Sequence, residues 1–236
     1  MIDLEERLRI VQATAQYHDT LNPVAWDGLM LKSDVREALL NIATHFMARL
    51  TALPQAGVTI SDIILTGSNA NYNWTAYSDF DVHVVVDINP LQPERALLKG
   101  LFDLQRRLWG RTHQVTVKGY PVELYFQDAN ETHVSTGVFS LKNNVWLVTP
   151  VQQAPMYHHK DIEAKVREFR TLIGQAQDET DLRNAYEKIV QLRKTGLERA
   201  GEFSTENLVF KALRNDGHIE ELIHKLQHLE DAKLSH

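Results

Sequence analysis

Asp79 and Asp81 stand one residue apart in SDFDVHVVVD, residues 78 to 87. On a strand, side chains alternate between faces, so Asp79, Asp81 and His83 share one face while Phe80, Val82, Val84 and Val86 fill the other. A rise of ~3.3 Å per residue puts the two acids about 6 to 7 Å apart along the strand, close enough to grip the same pair of ions. Asp87 shares that face but lies roughly 20 Å from Asp81 by the same rise, which makes it a poor third ligand. Hard cations such as Mg2+ or Mn2+ take oxygen ligands and keep several waters, so a few carboxylates with substrate phosphates complete such a site. The chain has no Cys, which leaves oxygen and imidazole as its metal donors.

A short loop upstream, Gly67-Ser68 follows an apolar strand, Ile63 to Thr66, and opens the polar run GSNANYNWTAYSD. Glycine after a strand lets a backbone approach a phosphate closely, and the amides of a following helix start, with the Ser68 hydroxyl, can hold a triphosphate.

The elements that must position these groups are legible around them. The first sixty residues read as helical, with Val35, Leu39, Ile42 and Phe46 on one buried stripe, Ser33 or Asp34 as N-cap, and Pro54 and Gly57 closing the region. After the acidic strand, Leu97, Leu101, Leu104 and Leu108 mark an amphipathic helix. Val115 and Val117, a turn at Gly119, then Val122, Leu124 and Phe126 read as a hairpin, and VFSL and VWLV around Asn143-Asn144 repeat that pattern more weakly. From about His158 the strands stop and helix periods such as Ile219, Leu222, Ile223, Leu226 and Leu229 take over. Pro150 and Pro155 mark a linker, giving residues 1–152 as a domain with N-terminal helices and 153–236 as a helical C-terminal domain. The expected class is α/β, a mixed sheet flanked by helices and followed by that helical domain.

Gly-Ser ahead of Ser-Asp-x-Asp on a strand resembles the signature of the DNA polymerase beta-type nucleotidyltransferase superfamily, over residues 63 to 87. The resemblance implies transfer of a nucleoside monophosphate from an NTP to an acceptor. It also implies nucleotide contacts at Gly67, Ser68 and Ser78 and two Mg2+ or Mn2+ ions on Asp79, Asp81 and a third acid from a neighbouring strand. The matching position is Glu123 in GYPVELYFQD, where the family usually has Asp, and Asp128 is the reserve. Glu123 and Tyr125 alternate with apolar Val122, Leu124 and Phe126, so Glu123 faces the cleft if its strand lies beside that of Asp79. More loosely, LNPVAWDG, LTGSNANYNWT, SDFDVHVVVD, PVELYFQD and GEFSTENLVFKALRNDG look like predicted nucleotidyltransferases of tailed bacteriophages, which implies a phage source and a host-cell cytoplasm.

Other residues carry a plainer reading beside a chemical one. His83 reads as a hydrogen-bonded strand histidine, with a phosphate contact or an Asp-orienting role as the alternative. Tyr72 and Trp74 either stack a base or plug the core. His158-His159 and His224/His228 read as solvated histidines, with metal ligation as the alternative, and Arg183, Lys188, Arg193, Lys194, Arg199, Lys211 and Arg214 as a helix surface laced with Glu, with contact to the triphosphate or an acceptor RNA as the alternative. Phe203, Leu208, Val209, Phe210 and Leu213 read as core around a short helix capped by Ser204 or Thr205 and ended at Gly217.

With 236 residues, 43% hydrophobic and 24% charged, the chain has an ordinary globular composition. A net charge of −6 argues against a nucleic-acid coat protein, and MIDLEERLRI lacks the basic and apolar regions of a signal peptide, so a cytoplasmic location without membrane contact is expected. The expected function is metal-dependent nucleotidyl transfer to an RNA end, a protein hydroxyl, a small molecule or a second nucleotide. The alternative is a non-catalytic nucleotide-binding or interaction module of the same fold.

Overall fold

The computed structural model describes residues 4–49, 59–88, 95–131, 135–152 and 157–235. The protein is of mixed α/β class and divides into two compact units, one of Tyr17–Gln153 and one of Met1–Gln16 with Ala154–His236. The first helix, α1 (Leu4–Thr14), therefore belongs with the helical unit and not with the sheet, as a division at 152 had placed it. Its Val11, with Ala15 just beyond its end, packs among Ile162, Val166, Val209 and Leu213, a burial that local periodicity cannot assign to one partner or the other.

In the sheet unit, a small hairpin, β1 (Trp26–Asp27) and β2 (Met30–Leu31), interrupts the region expected to be wholly helical. Helix α2 (Ser33–Met47) follows, burying Val35, Leu39, Ala43 and Phe46. Lys32 occupies its N-cap position without a side-chain bond, so neither Ser33 nor Asp34 caps it; Asp34 is instead paired with Lys118. Pro54 and Gly57 lie outside the described residues. Next come β3 (Thr59–Thr66), β4 (Phe80–Asp87), α3 (Arg95–Thr112), β5 (Thr116–Val117), β6 (Tyr120–Asp128), β7 (Val138–Ser140) and β8 (Val145–Val148). The six strands lie in the order β5-β6-β4-β3-β7-β8, and only β4 and β6 are parallel. That one parallel pair needs a crossover, which α3 supplies.

The registers show which side chains share a face. Phe80 is opposite Val122 and Val82 opposite Leu124, and these join Phe46, Phe102 and Trp109 of the two helices in the core. Asp81 is opposite Glu123 and His83 opposite Tyr125 on the other face. At the turn from β5 to β6, Lys118 and Gly119 both have positive φ, 53° and 87°, as a two-residue type I′ hairpin loop demands. The leucine stripe of α3 departs from expectation. Leu98, Phe102 and Trp109 are buried, whereas Leu97, Leu101, Leu104 and Leu108 are exposed, Leu97 to 74%. Two apolar stripes compete on this helix, and the sheet takes the one carrying the large aromatics, which bury more area per residue.

The helical unit adds α4 (His159–Gln175), α5 (Glu179–Ala200), α6 (Thr205–Asn215) and α7 (His218–Leu234). Ser204 caps α6 by accepting the Asn207 amide at 3.2 Å, and Gly217, at φ 83°, separates α6 from α7. Leu208, Val209 and Leu213 are buried, while Phe203 and Phe210 are part exposed, the latter beneath the Arg193 guanidinium. Along α7, Ile219 and Leu222 are buried and Leu226 and Leu229 pack at the margin, but Ile223 is exposed. Among the described residues no helix is long and apolar enough to cross a membrane.

Candidate active site

Asp79 directly precedes β4, Asp81 lies in its first turn of alternation, and Glu123 sits opposite Asp81 on β6. The three carboxylates each offer an oxygen within 4.8 Å of the others. Three hard oxygen donors in that space suit Mg2+ or Mn2+, and the apolar alternation of both strands holds them on one face. Asp128 is placed elsewhere. It is the last residue of β6, opposite Val86, five residues along from Glu123 and facing the other way, not in a loop beyond the strand. Burial pushes its pKa up, but hydrogen bonds from Asn130 and the guanidinium of Arg95 outweigh that and hold the carboxyl below its ordinary range.

Gly67 is at φ 75° and ψ −163°, a conformation open to glycine. A Cβ built there would lie 1.9 Å from Oδ2 of Asp81. The need for glycine thus arises inside the protein: the Asp81 carboxylate rests against this backbone. The residues after it, Ser68–Ala70, make a single 3-10 turn where a helix start was expected. Ser68 and Ser78 join their hydroxyls at 2.7 Å, and Ser78 Oγ also accepts the Thr75 amide at 2.9 Å, so both serines brace the loop across the polar run. Ser68 is nearly buried, and its hydroxyl is engaged with Ser78.

Asn69 ties this loop to two other segments. Its side chain donates to the carbonyl of Asp79 at 3.0 Å and accepts from Asn22 at 2.8 Å, while its carbonyl accepts the Trp26 indole at 2.7 Å. Asn22 and Trp26 belong to LNPVAWDG, which gives that segment a physical job: it fixes the loop that fixes Asp79. Local pattern could not show this, since the contact spans 47 residues.

Tyr125 is the residue that sequence reasoning passed over. Its hydroxyl donates to Glu123, the Arg106 guanidinium covers its ring at 4.8 Å, and His83 lies 4.9 Å away, ring to ring. Burial first, and then the negative charge of Glu123 and Asp81, push the Tyr125 pKa up, so the phenol stays protonated and remains a donor. Its position two residues past Glu123, on the same face, was the available signal. His83 is bonded through Nδ1 to Gln127 at 2.8 Å and lies 3.5 Å from the Thr66 hydroxyl, the strand-histidine arrangement. Trp74 stacks on His18 at 3.9 Å and donates to the Thr20 carbonyl, and Tyr72 packs against the core and bonds the His18 amide through its carbonyl. These aromatics anchor the chain around His18. His158, His159, His224 and His228 are exposed.

Comparison with protein-family models, with curated proteins and with solved structures finds no match.

Proposed function

We propose that the protein is a nucleotidyltransferase that moves a nucleoside monophosphate from an NTP to an acceptor hydroxyl. The observation carrying this reading is the convergence of Asp79, Asp81 and Glu123 within 4.8 Å on the polar face of β4 and β6, with the Gly67 backbone against Asp81. Asp79, Asp81 and Glu123 would hold divalent cations, which when bound neutralise phosphate charge and polarise the phosphoryl group. In the reaction the acceptor oxygen bonds to the α-phosphorus, the bond from that phosphorus to the bridging oxygen breaks, and pyrophosphate leaves with the electron pair. The acceptor proton passes to the Glu123 carboxylate, which the Tyr125 hydroxyl orients, or to solvent.

Incubation with each α-labelled NTP, in Mg2+ or Mn2+, with and without RNA, protein and small-molecule fractions, tests the reading. Label should move to an acceptor with wild-type protein and not with Asp81→Ala. Absence of transfer from every NTP to every fraction would sink the proposal.

A further inference from the structure

Beside Glu123, at the edge of the sheet, a pocket of about 290 Å³ is lined by Arg106, Arg107, Gly110 and His113 of α3 and its C-terminal end, and by Glu123 and Tyr125 of β6. Two guanidiniums, Arg106 and Arg107, face the one carboxylate that the pocket shares with the acidic cluster, and Trp109, Val122 and Leu124 add an apolar floor. Arg106 lies over Tyr125, whose hydroxyl bonds Glu123, so a guanidinium, a phenol and a carboxylate follow one another along one wall. Also in the lining, His113 stacks on Trp109 at 4.0 Å. Its Nε2 lies 3.0 Å from the guanidinium of Arg49, which can only donate, so this nitrogen accepts and a third guanidinium stands beside the lining. In a chain of net charge −6, this clustering of arginine runs against the overall balance.

Gly110 belongs to the lining and a Cβ there would meet nothing within 4 Å, so a larger side chain at this position can enter the pocket without displacing a neighbour. Arginine forks match phosphate oxygens in a planar, bidentate way, and a site of this size takes a phosphate with its sugar, not a folded segment.

We propose that this pocket binds a phosphate group of the acceptor, so that the accepting hydroxyl belongs to a phosphorylated sugar, as in a nucleotide or the terminal nucleotide of an RNA. The assignment to the acceptor rests on the nucleotidyl-transfer reading; the anion site itself does not. Glu123 stands where the pocket meets the acidic cluster, so a sugar phosphate held by Arg106 and Arg107 brings its hydroxyl toward the carboxylates. A polycationic acceptor is repelled by the same groups.

Calorimetric titration of the full chain in EDTA, without NTP, reads the site apart from turnover. The probes are AMP, a five-residue oligoadenylate and an aminoglycoside, against wild type, Arg107→Gln, Gly110→Leu and Lys99→Gln. Saturable binding of AMP or of the oligomer is expected, weakened about tenfold by Arg107→Gln as one charge-assisted bond is lost, and by at least as much in Gly110→Leu, whose side chain fills the pocket. Lys99→Gln removes a charge from the same helix outside the pocket and should change nothing. Binding of AMP alone marks a free nucleotide as the source, tighter binding of the oligomer or its binding alone marks an RNA end, and equal binding shows that a single nucleotide unit fills the site. Failure of both to bind, binding indifferent to Arg107→Gln and Gly110→Leu, or preference for the aminoglycoside overturns the proposal. Binding with no transfer in the labelled-NTP assay leaves the anion site and removes the nucleotidyl-transfer reading, whereas transfer without this binding removes only the pocket.

Discussion

Glu123 and Tyr125 are joined, because the phenol donates to the carboxylate and burial, with the charges of Glu123 and Asp81, favours its protonated form. Tyr125→Phe should leave the strand intact and weaken Mn2+ binding, read by electron paramagnetic resonance, by about 10- to 100-fold, the usual effect of removing a group that orients a metal ligand. Unchanged binding would show that the phenol is merely a neighbour. Gly67→Ala makes a different test. Its Cβ cannot coexist with Asp81 as placed, so the carboxylate must turn away or the loop must shift. Metal binding should fall along with nucleotide binding, whereas a glycine needed only for phosphate approach would spare the metal. Glu123→Gln should cut transfer by on the order of a hundredfold or more while leaving stability nearly unchanged. Asp128→Asn should act on stability instead. Asp128 is buried against Arg95 and Asn130, so its loss should lower unfolding free energy by about 1 to 2 kcal/mol in urea titration while transfer is kept.

At the scale of the element, α3 shows how far a pattern can be trusted. Its leucines at three- and four-residue spacing are a faultless amphipathic signal, yet the sheet buries the stripe of Leu98, Phe102 and Trp109. Phe102 stacks on Phe126 at 4.5 Å, and Phe126 on Phe46 at 4.7 Å, so this stripe joins α3 to both β6 and α2. Phe102→Ala should therefore cost about 3 to 5 kcal/mol of stability, while Leu104→Gln, at a residue 63% exposed, should stay within about 0.5 kcal/mol. Equal losses in thermal unfolding would mean that the leucine stripe is the packed one. The strand elements were more legible. Period-two alternation in residues 80 to 87 and 122 to 126 predicted the polar face of each strand, and the parallel register then set Asp81 beside Glu123. Alternation carries the face of a strand but not its neighbour, so the pairing came into the sequence reading only through the family resemblance.

Across the whole molecule, each unit has its own core and its own buried charge. In the helical unit Asp216 accepts from Arg170 and His218. Burial pushes the Asp216 pKa up, but the bonds from His218 and Arg170 prevail and hold it below the ordinary 3.8. A carboxyl whose pKa is lower folded than unfolded adds stability that is full above the unfolded value and is lost as pH falls through the folded one. The helical unit should then lose stability below about pH 4, and Asp216→Asn should flatten that acid limb while costing about 3 to 5 kcal/mol at pH 7 by leaving Arg170 buried without its charge partner. Circular dichroism melts across pH check both. An acid limb of the same slope in the variant would assign the effect to other carboxylates.

By itself the sequence determined the local rules. Alternation put Asp81 on a polar strand face with Asp79 just ahead of it, the cap of α6 was narrowed to Ser204 or Thr205 and its end to Gly217, and the loss of strand patterns after His158 separated helical from sheet-forming chain. These follow from backbone geometry over a few residues, which each segment carries with it wherever it packs. Tertiary structure decided what depends on partners: Glu123 over Asp128, the aromatic stripe of α3 over its leucines, α1 with the helical unit, and Asn22 and Trp26 as the brace of the Gly67 loop. Each is a choice between locally equivalent options, and it is settled by contacts between residues far apart in the chain, where burial and hydrogen-bond satisfaction outweigh local preference.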